Sequence, residues 1–320
     1  MANRVIAVDL GGTHIRGALV SSDGGVVRRS SMPTRSAEGP TAVIERITQV
    51  IETVADGADG STPVGIASPG PLDPRSGTIL FTPNLPGWRN VELVDQVVAR
   101  TGRRVALQND GNCGALGEAH FGSARGVDDL VYLALGTGIG GGVLSSGVLI
   151  DGSRGFGAEV GHVVVALDGP RCTCGSVGCL EAFAAGWAIQ REAELVATIA
   201  DGDRLKELAD GGEIHAGIVA RAAGEGDPAA IRILERAGRA LGAAIGAFTN
   251  IFNPSKVVIG GGVAAIGELL IGPARATIAQ HSFIDMRREM IVDYSSLGSD
   301  TNLLGAAALA IRTFDEEVGS

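Results

Sequence analysis

The chain has 320 residues, of which 45% are hydrophobic and 19% are charged. This composition predicts a globular protein of roughly two domains and excludes a disordered one. The formal net charge of −10 argues against nucleic acid as the main partner, because a phosphate backbone requires a basic surface. No apolar run approaches the roughly 18 residues of a membrane helix. With four cysteines, three of them closely spaced, the chain fits a reducing compartment. We therefore expect a cytoplasmic protein with no membrane partner.

The chain begins with an apolar strand that runs into an acidic residue and a glycine turn. RVIAV leads to Asp9 and then to Leu10–Thr13, and a second apolar run follows, which predicts two strands joined by a tight turn. Apolar residues then recur with helical spacing between Val43 and Val54. VGIAS predicts the next strand, which ends at the turn Pro69-Gly70.

A helix and a strand are predicted next. Asn90 is expected to cap a helix that carries Val91, Val94, Val97 and Val98, and RVAL predicts the strand that follows it. This strand ends at Asn109-Asp110. In open α/β sheets ligands bind beyond the carboxyl ends of the strands, so Asp110 occupies a position where chemistry is expected.

The second half repeats the opening pattern weakly. LVYLAL leads into the glycine-rich segment Gly136–Gly142, and this resemblance to the first strand and turn predicts two related α/β halves. A long alanine-rich helix after Pro228 is expected to end at Asn253-Pro254, because proline forbids its continuation. A strand then leads into a third turn, Gly260–Gly262, and residues 302–314 predict a buried closing helix.

One histidine and three cysteines have the spacing of a zinc site. Nine residues separate His162 from Cys172, one separates Cys172 from Cys174, and four separate Cys174 from Cys179. Turns at the intervening glycines allow these side chains to surround one tetrahedral centre. Four protein ligands leave no position for a catalytic water, so the pattern predicts a structural metal. The alternative is a group of buried thiols that only pack. Cys113 is left without a role.

Glycine turns and carboxylates form the other candidate sites. Glycine lets backbone N–H groups approach phosphate oxygens, so the three turns together predict a nucleotide clamp, although each alone fits an ordinary hairpin. Asp9 could face the magnesium ion of a bound triphosphate or only cap its turn. Asp110 could remove a proton from a hydroxylated substrate gripped by Asn109, or only cap a helix.

Two further carboxylates flank the metal block. Glu159 lies one turn before His162, and Glu181 follows Cys179 by two residues. If zinc binds one ring nitrogen of His162, the other nitrogen can meet a substrate oxygen with its tautomer fixed by the metal. The alternative is that the glutamates are only solvated. The remaining histidines show no ligand spacing and receive no role: His14, His120, His215 and His281.

Four motifs carry a resemblance to a known family: Asp9-Leu10-Gly11-Gly12-Thr13, Asn109-Asp110-Gly111-Asn112, Leu135–Gly142 and the block from Glu159 to Glu181. Their order and the cysteine block resemble the ROK family of sugar kinases and repressors over nearly the whole chain. Two positions depart from the family pattern. Gly111 stands where alanine is frequent, and His14 stands where lysine or asparagine is frequent.

The resemblance implies an actin-like, hexokinase-like (ribonuclease H-like) α/β fold with a structural zinc loop at 162–181. Two domains would close over ATP and a sugar: 1–122 with about 303–320, and 123–302. The family commonly forms homodimers or homotetramers, so the same is expected here.

The resemblance also implies an activity, the ATP-dependent phosphorylation of glucose at its 6-hydroxyl to give glucose 6-phosphate and ADP. Asp110 would be the general base, and Mg²⁺ would accompany ATP. Residues expected around the sugar are Gly70, Asn84, Asn109, Asp110, Glu159, His162 and Glu181. Residues expected around the nucleotide are Asp9, Gly11, Gly12, Thr13, Gly136, Thr137, Gly138, Gly260, Gly261 and Gly262.

Two alternatives stay open within the resemblance. The chain could be a kinase for fructose, mannose, allose or N-acetylmannosamine, or one that uses polyphosphate as donor. Polyphosphate-using relatives often lack the cysteine block, which favours ATP. A sugar-sensing repressor would carry a DNA-reading helix-turn-helix ahead of the core. The first strand expected near Arg4 and the acidic charge disfavour that alternative.

Overall fold

The computed structural model describes residues 4–82, 85–199 and 202–315. Its strands are β1 (Arg4–Leu10), β2 (His14–Ser21), β3 (Val26–Pro33), β4 (Val64–Ser68), β5 (Leu72–Asp73), β6 (Thr78–Phe81), β7 (Arg89–Glu92), β8 (Val105–Asn109), β9 (Leu130–Leu135), β10 (Ile139–Ser145), β11 (Val148–Leu149), β12 (Lys256–Gly260) and β13 (Ile291–Tyr294). Its helices are α1 (Pro40–Ala55), α2 (Leu93–Thr101), α3 (Asp110–His120), α4 (Glu181–Ala184), α5 (Gly186–Ala197), α6 (Asp203–Ala209), α7 (Ala216–Gly224), α8 (Pro228–Phe252), α9 (Glu268–His281), α10 (Ile284–Glu289) and α11 (Thr301–Asp315). This arrangement confirms the predicted α/β class.

The chain divides into two compact units. The first comprises Met1–Asp128, Gly142–Ala158 and Ser295–Ser320, and the second comprises Asp129–Gly141 and Glu159–Tyr294. The boundaries expected from the sequence differ from these units by assigning 123–128, 142–158 and about 295–302 to the other part. The expected domain boundaries therefore stay a prediction.

The sheet of the first unit has the order β3–β2–β1–β4–β8, with β1, β4 and β8 parallel and β1 antiparallel to β2. Its two faces are covered by different helices. Ile6 and Val8 of β1 join the core formed with α1, whereas Val5 and Ala7 join the core formed with α11. Strands buried on both faces require apolar residues at every position, which explains why RVIAV shows no alternation.

The register of this sheet places three polar residues at one edge. Asp9 is paired with Ala67, which directly precedes Ser68, and Ser68 is paired with Asn109. The carboxyl ends of β1, β4 and β8 therefore lie side by side. This is the edge at which open α/β sheets bind ligands.

A second sheet has the order β11–β10–β9–β12–β13, in which β12 is parallel to both β9 and β13. The order matches that of the first sheet, in agreement with the weak internal repeat. In the second unit the long helix α8 packs closely on α9. A Cβ at Gly238 or Gly242 would lie 2.3 Å from a backbone oxygen of α9. Glycine at this spacing allows the two helix backbones to approach each other.

Most predicted elements are present, including the helices α1, α8 and α11, but the helix expected to be capped by Asn90 is wrong at its start. Asn90 has a φ of 51° and lies in β7, while α2 begins at Leu93. Val91 pairs with Ile79 of β6 and is buried. This non-local pairing outweighs the helical spacing of the valines. Among the described helices, none combines the length and apolar character needed to cross a bilayer.

Candidate functional site

The turn after β1 positions the first candidate carboxylate. Asp9 is 6% exposed, and its Oδ2 accepts a hydrogen bond from Arg16 Nε at 2.9 Å. Burial raises the pKa of Asp9, while the Arg16 guanidinium opposes that shift. The turn itself is closed by the Gly11 N–H, which donates to His14 O at 2.9 Å, and Gly12 and Thr13 are exposed. A magnesium ion facing Asp9 would therefore compete with Arg16, so this role stays a prediction.

The strand-to-helix junction after β8 presents the candidate base. Asn109, rather than Asp110, caps α3, because its Oδ1 accepts from the Gly111 N–H at 2.9 Å. Its amide nitrogen consequently points the other way, where a Cβ at Gly70 would lie 3.1 Å from it. Asp110 is the first helical residue, and its Oδ1 accepts from the same N–H at 2.8 Å. The structure thus brings Gly70, Asn109 and Asp110 together, while Asn84 lies outside the described residues.

His162, Cys172, Cys174 and Cys179 converge as the spacing predicts. Their ligand atoms all lie within 4.8 Å of one another. The distance from Cys172 Sγ to His162 Nδ1 is 3.7 Å, and the distance from Cys174 Sγ to Cys179 Sγ is 3.8 Å. Tetrahedral zinc with bonds of about 2.0–2.3 Å requires ligand separations of about 3.6–3.8 Å. Two of the separations match these values, and the four side chains together are compatible with a structural zinc ion.

The metal cluster is joined to the glycine-rich segment by Glu181, which is 8% exposed. Its Oε2 accepts from the Ile139 N–H at 2.9 Å, and its Oε1 accepts from the Thr173 hydroxyl at 3.2 Å, inside the cysteine block. Gly138 leaves room for this carboxylate, since a Cβ there would lie 2.7 Å from Oε2. Glu181 is thus a buried residue whose hydrogen bonds join the cysteine block to the backbone of the glycine-rich segment, and it is not a solvated surface residue.

Glu159 and His162 lie on one short helical turn. The His162 N–H donates to Glu159 O at 3.0 Å, and the Glu159 side chain is exposed. Because His162 directs Nδ1 at the metal cluster, a bound metal would leave the proton on Nε2. The ring would then present a hydrogen-bond donor on the side opposite the metal.

A cavity of about 600 Å³ lies against the glycine turns of the second unit. It is lined by Gly136, Thr137 and Gly262 from the predicted turns, whereas Gly138, Gly260 and Gly261 are not among its lining residues. Gly261 has a φ of 87°, and a Cβ there would lie 2.3 Å from Leu135 O, so it shapes the turn. The volume falls within the roughly 300–1,000 Å³ of small-molecule sites.

Sequence reasoning missed three polar or aromatic residues of this cavity: Trp187, Gln190 and His215. Trp187 is half-buried and has the guanidinium of Arg191 5.1 Å from its ring centre. His215 caps α7, and its Nδ1 accepts from the Gly217 N–H at 3.1 Å. This contact places the ring proton on Nε2, so His215 is a hydrogen-bond donor. No local motif marks these residues, because Trp187 and Gln190 lie on α5 whereas His215 lies at the start of α7.

The ROK family matches residues 5–313 of the chain. The chain belongs to the ROK family. It is 42% identical over 315 residues to a Thermotoga maritima glucokinase, with 96% of each sequence covered. Among solved structures it resembles the ROK hexokinase from Thermus thermophilus, with a TM-score of 0.83, 34% identity and coverage of 98% and 99% of the two chains.

A third relative of this ROK protein is a ROK family glucokinase from Streptomyces griseus, whose structure is in complex with glucose and AMPPNP. That match has a TM-score of 0.80 and 34% identity, and it covers 97% of this chain and 99% of the other. The expected hexokinase-like ROK fold is therefore confirmed.

Proposed function

We propose that this ROK protein is a glucokinase, which transfers the γ-phosphoryl group of ATP to the 6-hydroxyl of glucose. The observation that carries the proposal is the Asn109–Asp110 pair at the carboxyl end of β8, in a chain whose full-length relatives include a glucokinase. The relative bound to glucose and AMPPNP supports the same two ligand classes. The products would be glucose 6-phosphate and ADP.

Asp110 is proposed as the general base. Its carboxylate takes the proton of the 6-hydroxyl as that oxygen attacks the γ-phosphorus. The bond from phosphorus to the β–γ bridging oxygen breaks, and ADP leaves with the electron pair. Asp9 is the residue proposed to hold the Mg²⁺ that accompanies ATP, which would supply positive charge to the phosphates. Positioning the hydroxyl is the remaining task, and the Asn109 amide N–H₂ beside Gly70 is suited to it.

Glu159, His162 and Glu181 are proposed to bind the other sugar hydroxyls. A structural zinc ion would hold His162 through Nδ1 and direct its Nε2–H at a sugar oxygen. The exposed Glu159 carboxylate can accept from a hydroxyl next to it. Glu181 also accepts a hydrogen bond from the Ile139 backbone N–H, so it is proposed to have two roles.

The nucleoside is proposed to occupy the 600 Å³ cavity. Gly136 and Thr137 would approach the phosphates, and the 260–262 turn would lie beside the adenosine. Trp187 offers an apolar surface to a base, and His215 offers a donor to a base or ribose acceptor. Gly11, Gly12 and Thr13 are proposed to contact the phosphates as well. A homodimer or homotetramer and a cytoplasmic location stay predictions.

The test of the base is Asp110→Asn. Asparagine keeps the Gly111 hydrogen bond through its own Oδ1 but cannot take a proton. We expect kcat to fall by about 10²- to 10⁴-fold with little change in glucose affinity. Asp95→Asn, at an exposed aspartate in the first turn of α2, is the matched control. A kcat within a few-fold of wild type for Asp110→Asn would contradict the assignment.

The test of the substrates is a coupled assay over a panel of hexoses and donors. We expect the highest kcat/KM with glucose and ATP. Higher kcat/KM with fructose, mannose, allose or N-acetylmannosamine would assign the chain to another hexose kinase. Turnover with polyphosphate exceeding that with ATP would contradict the proposed nucleotide cavity.

A further inference from the structure

A second acidic residue lies behind the candidate base within the first unit. Asp151 follows β11, and its Oδ1 accepts from Gln108 Nε2 at 3.0 Å and from Asn112 Nδ2 at 3.2 Å. Both amides are buried, with Gln108 3% and Asn112 2% exposed. The loop that carries Asp151 is held by Arg75, which donates to Ser153 O at 2.8 Å. One carboxylate oxygen of Asp151 therefore accepts hydrogen bonds from two buried side-chain amides.

The orientation of Gln108 follows from what its neighbours can donate and accept. Its Oε1 accepts from the Asn109 backbone N–H at 2.7 Å and from Asn112 Nδ2 at 3.2 Å. A backbone N–H only donates, so the oxygen of Gln108 must face Asn109. Its NH₂ group then faces Asp151, where an ionised carboxylate is the matching acceptor.

The orientation of Asn112 depends on the same carboxylate. Within the described residues its Oδ1 is buried and has no hydrogen-bond partner. This oxygen lies against the backbone of Gly142, where a Cβ would be 2.9 Å from it. A buried acceptor left unpaired costs free energy. The hydrogen bonds that keep the Asn112 amide in this orientation must therefore be those donated by its Nδ2. The two acceptors of these hydrogen bonds are Asp151 Oδ1 and Gln108 Oε1.

We propose that Asp151 is a positioning residue for phosphoryl transfer, which acts on Asn109 and Asp110 through the amides of Gln108 and Asn112. This inference rests on the proposed function, because it assumes that Asp110 is the base. Gln108 fixes the peptide N–H of Asn109, and Asn109 caps the helix on which Asp110 is the first residue. Loss of the Asp151 carboxylate frees the side-chain amides of Gln108 and Asn112 to rotate. The hydrogen bond from the Asn109 N–H to Gln108 at the start of α3 is then no longer fixed.

Asp151 is half-buried and lies near the guanidinium of Arg75. Burial raises its pKa, and the hydrogen bond from Gln108 and the positive charge of Arg75 oppose that shift. The side chain lines a cavity of about 440 Å³ beside the edge strand β8, together with Asp95. Truncation at either position therefore removes atoms next to existing open space and leaves the packed core untouched.

The experiment compares Asp151→Ala, Asp151→Asn and the control Asp95→Ala. Asparagine keeps an oxygen at the Oδ1 position and so can preserve both hydrogen bonds, whereas alanine removes them. For Asp151→Ala we expect kcat to fall by about tenfold to a hundredfold, the range produced by small misplacement of reacting groups. The KM for ATP should stay within about twofold, since the nucleotide cavity belongs to the other unit. Asp151→Asn and Asp95→Ala should stay within about threefold of wild type in kcat.

A second measurement keeps the inference independent of the proposed activity. Amide hydrogen exchange at Asn109 should be faster in Asp151→Ala than in wild type and unchanged in Asp151→Asn. Unchanged exchange at Asn109 in Asp151→Ala, or equal loss of kcat in the alanine and asparagine variants, would overturn the inference. Faster exchange without any hexose kinase activity in the wild type would overturn the proposed function and leave the amide network in place.

Discussion

Replacement of Glu181 by alanine tests how the metal block supports the glycine-rich segment. The substitution removes the acceptor of the Ile139 N–H, which is 2.9 Å from Glu181 Oε2 in a buried position. A buried donor left unpaired costs about 1–3 kcal/mol. Because about 1.4 kcal/mol corresponds to tenfold, the opening equilibrium around Ile139 should rise by about 5- to 150-fold.

Amide hydrogen exchange measures this directly, because the exchange rate of the Ile139 amide follows its local opening. Glu181→Gln is the matched variant. Its amide oxygen can still accept from Ile139, and its NH₂ can donate to the Thr173 hydroxyl that now donates to Glu181. We expect its exchange to stay within about threefold of wild type.

Sugar affinity separates the two roles proposed for Glu181. If the charged carboxylate also binds a sugar hydroxyl, Glu181→Gln should weaken glucose binding while leaving Ile139 exchange unchanged. Unchanged exchange at Ile139 in the alanine variant would refute the reasoning, because it would mean that the hydrogen bond does not hold the turn.

Three further predictions concern the metal block and the cavity. Thiol reagents should modify the exposed Cys174 after removal of the metal and should reach Cys113, which is fully buried with its pKa raised by burial, only on unfolding; modification of Cys113 in the folded protein would contradict this. Gly178→Ala should lower the zinc content in elemental analysis, because the φ of Gly178 is 76° and a Cβ there would lie 1.7 Å from Ala166 O. The control Gly175→Ala, at a φ of 95° with open space around the added Cβ, should retain the zinc. Equal zinc contents in the two variants would contradict the steric argument. His215→Asn should keep the cap on α7 but lose the Nε2–H donor, so the KM for ATP should rise by about threefold to tenfold with the glucose KM unchanged. An unchanged ATP KM would remove His215 from the site.

The elements that could be predicted are those set by neighbours along the chain. The metal ligands lie within one short block, and the hydrogen bonds of that block, such as Gly178 N–H to Pro170 O at 2.9 Å, are local as well. Residue spacing was therefore sufficient to predict their convergence. Helices α1, α8 and α11 and the strands beside the glycine turns follow from apolar periodicity and from proline and glycine, which act over a few residues.

The rest depended on partners far apart in sequence. Val91 lies in a strand because Ile79 pairs with it, and Glu181 supports a backbone N–H at Ile139. Asp151 accepts a hydrogen bond from the side-chain amide of Gln108. His215 lines a cavity whose other walls include glycine turns from distant parts of the chain. Local propensity carries no information about such pairs, since their contacts exist only after the sheets have formed. The sequence by itself thus determined the family, the metal block and the candidate base, while tertiary structure decided which side chains support them.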